Sequence, residues 1–325
     1  MDYSQFGQAL IVQRLITDDT PRVLVDIGAS DGIQDSNSRA LIEQGWRAVL
    51  VEPMAETFAK LRRNCEDYPQ TTLVKAACSD RDGIAAMCVG GRWNSLSDSP
   101  EIAPGLGTDF VEVETITLDK VFEIGRVPQD FGVLMLDTEG LDLCVLKGLE
   151  LTTTRPRIIV TEDLRETSSE KYALLSSLCY RFVGAWRADS IWVSNSHPVE
   201  TTSLRLPIFR LPFTWKPSGA PTSGTVFFDG LRRSCVLGWA FHERDQVPPR
   251  LVVVDLRGVN SPQRYVFQAV RTPRGDVVDH FHAPSLLMSG FRACIDVLPG
   301  EYELRVVQQD VSVYSEAVVA AMSVA

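Results

Sequence analysis

The stretch Val23-Leu24-Val25-Asp26-Ile27-Gly28-Ala29-Ser30-Asp31-Gly32 decides the fold class. Its first half is a short, largely aliphatic run, which predicts a buried strand over residues 23–27. Glycines follow at positions 28 and 32, and a helix that ends at Gly45 is predicted over residues 37–44. A strand, a glycine-containing loop and a helix in this order predict the first unit of an α/β fold.

The same alternation continues over the first 195 residues. Further strands are predicted over residues 48–51, 72–77, 84–89, 133–136 and 158–161, the last two of them buried, and a further helix over residues 55–65. Residues 180–186 and 190–194 predict a terminal antiparallel hairpin. We therefore expect residues 1–195 to form a doubly wound, mostly parallel sheet with helices on both faces.

A linker and a second domain are predicted after this region. Residues 196–224 contain five prolines among serines and threonines, which is typical of a linker. Apolar and polar residues then alternate strictly over residues 291–297 and 301–306, as in antiparallel strands with one buried face. Residues 225–325 are therefore expected to form an all-β accessory domain of the sandwich type.

Composition and charge exclude several classes of protein. The 325 residues include 32 basic and 42 acidic side chains, a formal net charge of −10, which argues against a nucleic-acid partner because phosphate binding depends on clustered Lys and Arg. No apolar stretch approaches the ~20 residues that cross a bilayer, and the first residues lack a basic, apolar leader. The seven cysteines form no Cys-x-x-Cys pair, which indicates reduced thiols and disfavours a zinc site. We expect a cytoplasmic protein without a membrane span.

Acidic residues follow the predicted strands one after another. In a doubly wound sheet, ligands bind where the carboxyl ends of the strands open into a crevice. The acids at these ends are Asp26, Asp31, Glu52, Asp80, Asp137, Glu139, Glu162 and Asp163. Because such ends meet at one edge of the sheet, the sequence predicts an acidic ligand site there.

The loop after the first strand favours one class of cofactor. A nicotinamide-binding loop has the pattern G-x-G-x-x-G, whereas this loop has glycines only at positions 28 and 32. Asp31 would repel a pyrophosphate, and Glu52 stands where a carboxylate can accept both hydroxyls of a ribose. A cationic adenosine cofactor without phosphate, such as S-adenosylmethionine, therefore fits better than a dinucleotide.

Five motifs along the chain carry a family resemblance. They are VDIGASDG at 25–32, VEP at 51–53, ACSDRDG at 77–83, TLD at 117–119 and LDTEGLDLCVLKG at 136–148. In this order they resemble the FkbM-type S-adenosylmethionine-dependent methyltransferases, over roughly residues 20–195. The resemblance implies a class I methyltransferase fold and O-methylation, often of a sugar or another hydroxylated natural product.

The resemblance also implies roles for individual residues. The first loop would hold the methionine end of the cofactor, Glu52 would bind the ribose hydroxyls and Asp80 the adenine amino group. The expected cofactor-binding residues are Asp26, Gly28, Ala29, Ser30, Asp31, Glu52, Pro53, Ser79, Asp80 and Asp137. Asp137, Glu139 and Glu162 would face the transferred methyl group and the acceptor, and these three are the expected catalytic residues.

Two positions depart from the family pattern. Ser30 stands where the family usually has Asn, and it keeps a hydrogen-bonding side chain. The family usually has Lys before the acid pair of the fourth strand, where this chain has Met135-Leu136-Asp137. The absence of that lysine removes a positive charge beside two carboxylates, which puts its charge-balancing role in doubt for this chain.

The acids of the fourth and fifth strands have two chemical interpretations. One of Asp137, Glu139 and Glu162 can act as the base for an acceptor hydroxyl, since clustered carboxylates raise one another's pKa. Alternatively, Asp137, Glu162 and Asp163 can hold Mg²⁺ or Ca²⁺, which would acidify the hydroxyl. The sequence does not favour a metal site, because no histidine accompanies the acids and the family pattern does not require a metal ion.

These observations together predict an S-adenosylmethionine-dependent O-methyltransferase that acts on a saccharide or a related hydroxylated metabolite. Its partner would be a small-molecule or glycan acceptor, and a homo-oligomer is compatible with the sequence. Two other classes remain as alternatives. One is a catalytically weak, methyltransferase-like adaptor whose β domain binds a glycan or protein partner. The other is a nicotinamide-dependent enzyme, which the glycine spacing disfavours.

Overall fold

The computed structural model describes residues 3–4, 8–90, 93–96, 109–162, 165–186, 189–198, 210–211, 220–221, 223–232, 235–242, 251–272, 277, 280, 290–295, 297, 300–309 and 313–324. The chain divides into two compact units, one formed by Met1–Val183 with Asp189–Thr202 and the other by Gly184–Ala188 with Ser203–Ala325. The domain boundaries at residues 195 and 224 stay predictions, because most of the predicted linker lies outside the described residues.

Up to residue 194 the chain contains both strands and helices, and between residues 71 and 117 the assigned elements are strands only. The strands are β1 (Val23–Ile27), β2 (Arg47–Val51), β3 (Thr71–Val74), β4 (Ala77–Ser79), β5 (Gly83–Gly90), β6 (Trp93–Leu96), β7 (Asp109–Thr117), β8 (Asp130–Leu136), β9 (Arg155–Glu162), β10 (Tyr180–Trp186) and β11 (Asp189–Ser194). The helices are α1 (Gln8–Leu15), α2 (Arg39–Glu43), α3 (Ala55–Asn64), α4 (Leu118–Gly125), α5 (Asp142–Lys147) and α6 (Arg165–Ser177), with a 3₁₀ helix at Gly148–Glu150.

The main sheet has the strand order β3-β2-β1-β8-β9-β11-β10. The successive pairs β3–β2, β2–β1, β1–β8 and β8–β9 are parallel. The next pair, β9–β11, is antiparallel. The prediction of a doubly wound, mostly parallel sheet is confirmed, and the two strands of the predicted hairpin, β10 and β11, are neighbours in it. The direction of winding reverses between β1 and β8, so the carboxyl ends of these two strands flank the crevice where such sheets bind ligands.

A smaller sheet with the order β4-β7-β5-β6 accompanies the main one. β4 is parallel to β7, and β5 is antiparallel to both β6 and β7. The prediction of one strand over residues 72–77 is therefore wrong. β3 ends at Val74, and after the exposed Lys75 the chain continues at Ala77 as β4, which belongs to the smaller sheet. The third predicted strand end, which carries Ser79 and Asp80, thus lies on this smaller sheet.

The aliphatic runs of the main sheet fill its core. Val25, Leu134 and Ile159 belong to one buried cluster together with Val121 of α4 and Leu146 of α5. Strands that are covered in this way need apolar side chains at successive positions, which explains the nearly continuous aliphatic sequences.

Met135 has an environment that explains its departure from the family pattern. It pairs in register with Asp26 of β1, and its side chain is 1% exposed. A lysine in this environment would need a buried partner for its charge. The thioether of Met135 is neutral and needs no such partner, whereas a lysine would have the carboxyl of Asp26 beside it.

The second unit is built from strands, as the alternating pattern predicts. They are β12 (Arg210–Leu211), β13 (Ala220–Pro221), β14 (Gly224–Arg232), β15 (Cys235–His242), β16 (Leu251–Gly258), β17 (Arg264–Gln268), β18 (Val270–Thr272), β19 (Gly290–Cys294), β20 (Gly300–Gln309) and β21 (Val313–Val324). β14, β15, β19 and β18 are successive neighbours in one sheet, and a second sheet has the order β12-β17-β16-β20-β21-β13. Val236 and Phe291 of the first sheet share a buried cluster with Val254 and Leu304 of the second.

The cysteines correct one expectation. Free thiols are present at Cys65, Cys78, Cys88, Cys144 and Cys179. Cys235 is disulfide-bonded, so the prediction of reduced thiols throughout the chain is wrong. Its backbone lies opposite Cys294 in the antiparallel pair of β15 and β19, a proximity that the sequence separation does not reveal. The cytoplasmic location therefore stays a prediction that the cysteines no longer support.

The helices also bear on the prediction that no segment spans a membrane. Within the parts of the chain that the structure describes, no helix combines the length and apolar character that a membrane span requires.

The packing of the main sheet leads to a stability prediction. Phe131 is fully buried and contacts Phe122 edge-to-face with a centroid distance of 5.4 Å. We expect Phe131→Ala to lower the free energy of unfolding by about 3–5 kcal/mol, because the substitution removes apolar burial and leaves a cavity. Denaturant unfolding monitored by circular dichroism measures this change. Phe110→Ala is the matched control, since Phe110 is 57% exposed and should change stability far less. Equal losses for the two variants would contradict the assigned core.

Candidate active site

The loop over residues 28–32 is fixed between the ends of two neighbouring strands. The backbone N–H groups of Gly28 and Ala29 donate to the carbonyl of Val51 on β2, at 2.9 and 3.0 Å. On the other side, the N–H of Asp137 donates to the carbonyl of Ile27 at 2.9 Å. Gly28 has φ +87°, and a Cβ atom at this position would lie 1.9 Å from the carbonyl oxygen of Asp137. Only glycine allows this approach.

Asp31 has a structural role within the loop. Its Oδ1 accepts hydrogen bonds from the backbone N–H groups of Ile33 and Gln34, both at 2.9 Å, and its carbonyl accepts one from the Asn64 side chain at 2.8 Å. The adjacent Ser30 is exposed and has φ +49°. The carboxylate of Asp31 thus holds the chain as it turns towards α2, and its direct contact with a cofactor stays a prediction.

Asp26 and Glu52 form a buried acidic pair at the ends of β1 and β2. Glu52 Oε1 accepts the N–H of Met54 at 2.8 Å, and the backbone N–H of Ser30 also donates to this side chain. Asp26 accepts a hydrogen bond from the Ser38 side chain. Burial raises the pKa of Asp26 to about 6, and burial together with the Asp26 charge raises the pKa of Glu52. Through these hydrogen bonds Glu52 joins the end of β2 to the loop over residues 28–32. Pro53, which follows Glu52, is half-buried.

The three expected catalytic residues come together. Asp137 follows β8, Glu139 lies two residues further with φ +51°, and Glu162 is the last residue of β9. One carboxylate oxygen from each lies within 4.8 Å of the other two. We refer to Asp137, Glu139 and Glu162 as the carboxylate cluster.

Burial and mutual repulsion shift the titration of the carboxylate cluster upwards. Desolvation is the largest cause for each residue, followed by the charges of neighbouring acids. The pKa is raised to about 7 for Asp137, to about 8 for Glu139 and to about 10 for Glu162. Glu162 is 8% exposed, and its Oε2 has no hydrogen-bond partner among the described residues. The cluster therefore carries acidic groups whose charge the surrounding described structure does not balance well.

Asp142 holds the carboxylate cluster in place, a role that sequence reasoning missed. Its Oδ1 accepts from the N–H and the hydroxyl of Thr138, the former at 2.9 Å. Its Oδ2 accepts from the Thr161 hydroxyl and the Glu162 N–H, each at 2.7 Å. The residue thereby ties the end of β8, the first turn of α5 and the end of β9 together. Its place in the motif over residues 136–148 was the available signal, but nothing in the pattern separated it from a solvent-exposed helix acid.

The end of β9 is also contacted by a buried lysine side chain. Lys171 of α6 is 2% exposed, and its ammonium group donates to the backbone carbonyl of Glu162. This contact fixes the main chain at the point where the cluster residue leaves the sheet.

Ser79 and Asp80 have a different setting from the other acids. Asp80 is exposed and forms an ion pair with Arg81 at 3.5 Å, and the Ser79 hydroxyl donates to Asp80 Oδ1 at 3.3 Å. Both residues also interact with Cys144 of α5, whose pKa is raised by burial and by the Asp80 charge.

The structure brings the acids at the ends of β1, β2, β8 and β9 near one another. Asp163 lies outside the described residues.

The buried carboxyl of Asp26 leads to a prediction about stability and pH. Its pKa is raised from 3.8 to about 6, so the folded protein binds the proton more tightly than the unfolded chain does. The stabilisation that this group gives is fully present below about pH 4 and is lost as the pH rises through about 6. We expect the free energy of unfolding of the unsubstituted protein, relative to Asp26→Asn, to fall by on the order of 2 kcal/mol between these values.

Urea unfolding at a series of pH values measures this difference. Asp67→Asn, on an exposed turn, is the control and should show no such trend. A pH profile of Asp26→Asn that runs parallel to that of the unsubstituted protein would show that Asp26 does not titrate as its burial requires.

Comparison with known proteins gives a family match for the segment that contains these residues. Residues 26–182 match the family model of the methyltransferase FkbM domain. This segment contains Asp26, Glu52 and the whole carboxylate cluster. A search of curated protein sequences gave no significant match.

Similar solved structures are distant methyltransferases. A precorrin-6y C5,15-methyltransferase from Geobacter metallireducens has 12% identity and a TM-score of 0.32, over 57% of this chain and 85% of that one. A predicted O-methyltransferase from Agrobacterium tumefaciens also has 12% identity and a TM-score of 0.32, over 58% and 81%. WbdD has 11% identity and a TM-score of 0.38, over 86% and 64%. The assignment rests on the family match together with the strand order, and residues 26–182 therefore form an FkbM-type S-adenosylmethionine-dependent methyltransferase domain of the class I fold.

Proposed function

We propose that this methyltransferase transfers the methyl group to a hydroxyl oxygen of a saccharide or a related hydroxylated metabolite. The observation that carries the proposal is the carboxylate cluster at the carboxyl ends of β8 and β9. It adjoins the loop over residues 28–32, since the Asp137 backbone contacts both Ile27 and Gly28. A neutral hydroxyl needs an acceptor for its proton, and carboxylates at this position supply one.

The residues around the crevice fit S-adenosylmethionine. Gly28 leaves room for a close backbone approach, and the acids around it suit a cofactor that carries a sulfonium and an ammonium charge. Asp26 and the exposed Ser30 would hold the methionine end, and Glu52 with Pro53 would hold the ribose. Ser79 and Asp80 would bind the adenine from the edge of the smaller sheet. When bound, S-adenosylmethionine supplies a methyl group already activated on sulfur.

The chain's own residues then have to align the acceptor and accept its proton. A carboxylate oxygen of Asp137 or Glu139 accepts a hydrogen bond from the hydroxyl and takes the proton as the new C–O bond forms. The bound cofactor would supply the methyl group and would keep the electron pair of the C–S bond as a neutral thioether. The proton then passes from the carboxylate to water. Asp142 keeps the carboxylates in position through its four hydrogen bonds.

The remaining parts of the proposal concern partners and location. The second unit, which we interpret as a β-sandwich, would assist acceptor binding or assembly. The net charge of −10 supports an acceptor other than a nucleic acid, and a cytoplasmic location remains part of the proposal although the disulfide bond of Cys235 does not support it. The adaptor hypothesis differs in its outcome, because an adaptor would bind the cofactor without turnover.

The carboxylate cluster leads to a prediction about activity. We expect Asp137→Asn and Glu139→Gln to lower the rate of methyl transfer by roughly 10²-fold or more, because each removes a proton acceptor from the acceptor hydroxyl. Transfer of radiolabelled methyl groups to a panel of glycans, polyols and cell extract measures the effect. Glu150→Gln is the control, since Glu150 is an exposed acid at the end of the 3₁₀ helix after α5.

Two results would contradict this assignment. Methyl transfer that survives both substitutions in the cluster would show that the chemistry occurs elsewhere. Methyl transfer to amines or thiols with no incorporation into any hydroxyl acceptor would show that the acceptor class is wrong.

Glu52 leads to a prediction about cofactor affinity. We expect Glu52→Ala to weaken binding of S-adenosylhomocysteine by about 10- to 100-fold, on the order of the loss of charge-assisted hydrogen bonds to the ribose. Titration calorimetry measures the dissociation constant. Glu56→Ala, at an exposed position in the first turn of α3, serves as the matched control. An affinity that Glu52→Ala leaves unchanged would remove this residue from the ribose site.

A further inference from the structure

The carboxylate cluster has two properties beyond its position near the acceptor. Its three oxygens converge within 4.8 Å, a spacing that small side-chain movements can close around one ion. Independently, Glu162 is more than nine-tenths buried, and its Oε2 has no hydrogen-bond partner within the described chain. A buried carboxylate oxygen without a partner is costly, and a bound water or ion is one of the partners that can satisfy it.

The neighbours of Glu162 do not supply this missing partner. Asp142 uses both of its oxygens to accept hydrogen bonds, including one from the Glu162 backbone N–H. The ammonium group of Lys171 donates to the backbone carbonyl of Glu162, and no hydrogen bond joins it to the Glu162 Oε2 atom. The carboxylate of Glu162 therefore faces two further acids, with its Oε2 unsatisfied among the described residues.

The chemistry of the three ligands selects the ion. All three donors are carboxylate oxygens, which hard cations such as Mg²⁺, Mn²⁺ and Ca²⁺ prefer, whereas zinc favours sulfur and nitrogen. Three protein ligands also leave coordination positions open for water or substrate oxygen. A monovalent or organic cation would satisfy the charge less completely, because the three carboxylates converge on one point.

We propose that Asp137, Glu139 and Glu162 bind one divalent cation of the Mg²⁺ class and that the cation ligates the acceptor hydroxyl. The binding site stands on its own, whereas the contact with the acceptor rests on the proposed function. Sequence reasoning did not favour a metal because the acids lack an accompanying histidine. The buried, unsatisfied oxygen of Glu162, which the sequence does not show, is the observation that favours one.

The cation would do two things for the reaction. It would neutralise the repulsion between the three carboxylates, and it would orient the acceptor oxygen while making its proton easier to remove. Asp142 would act as a positioning residue, since its oxygens are occupied by Thr138, Thr161 and the Glu162 N–H.

Binding of Mn²⁺ to the full-length protein tests the site directly, by electron paramagnetic resonance and by calorimetry, with Mg²⁺ and Ca²⁺ as competitors. We expect one Mn²⁺ per chain, also in the presence of S-adenosylhomocysteine, and at least tenfold weaker binding in Glu162→Gln. Glu139→Gln, at a position more exposed than Glu162, provides a second measurement of Mn²⁺ affinity should Glu162→Gln fail to fold. Glu150→Gln should bind Mn²⁺ as the unsubstituted protein does.

The outcomes separate this inference from the proposed function. An absence of stoichiometric Mn²⁺, binding that neither Glu162→Gln nor Glu139→Gln weakens, or displacement of Mn²⁺ by S-adenosylhomocysteine would overturn the site. Methyl transfer to hydroxyls that continues undiminished after chelation would overturn the role of the cation and leave the proposed function intact. Mn²⁺ bound as expected, together with no hydroxyl methylation, would support the site and overturn the proposed function.

Discussion

The close approach of the backbone at Gly28 to the carbonyl of Asp137 is the constraint on which the site depends. The contact lets the loop after β1 lie directly against the end of β8, and two hydrogen bonds to Val51 fix its other side against β2. The acids that leave these strands therefore converge without any long-range charge pairing to draw them together. Backbone geometry, set by one residue without a side chain, thus determines where the polar chemistry of the domain is located.

Much of this arrangement could be predicted because strand ends are visible in a sequence. Aliphatic runs mark buried parallel strands, and the residue after each run must lie at the carboxyl edge, so Asp26, Glu52, Asp137 and Glu162 could be placed together in advance. The same alternation predicts mostly parallel pairing, but it does not give the order of the strands. Asp80 shows the limit of this reasoning, because the break after Val74 moves the chain into another sheet and the aliphatic pattern continues across that break.

The features that could not be predicted depend on contacts between segments that are distant in sequence or on side-chain direction. The carboxylate of Asp31 turns back on its own loop, whereas that of Asp142 bridges two strands, yet both are acids near a glycine in the sequence. The disulfide bond of Cys235 depends on the register of β15 and β19, which period-two alternation leaves undefined. The unsatisfied oxygen of Glu162 depends on what its neighbours already bind. In each case the residue type was informative only after its partners were known.

The hydrogen bonds of Asp142 have a consequence for how the domain tolerates sequence change. Both carboxylate oxygens face backbone N–H donors, Thr138 on one side and Glu162 on the other. An asparagine has the same shape, but in either amide orientation its NH₂ group would meet one of these donors instead of accepting from it. A glutamate would be one methylene too long for the space between the two strand ends. Position 142 therefore has no isosteric replacement. A substitution of Asp142 would require compensating changes at the ends of β8 and β9.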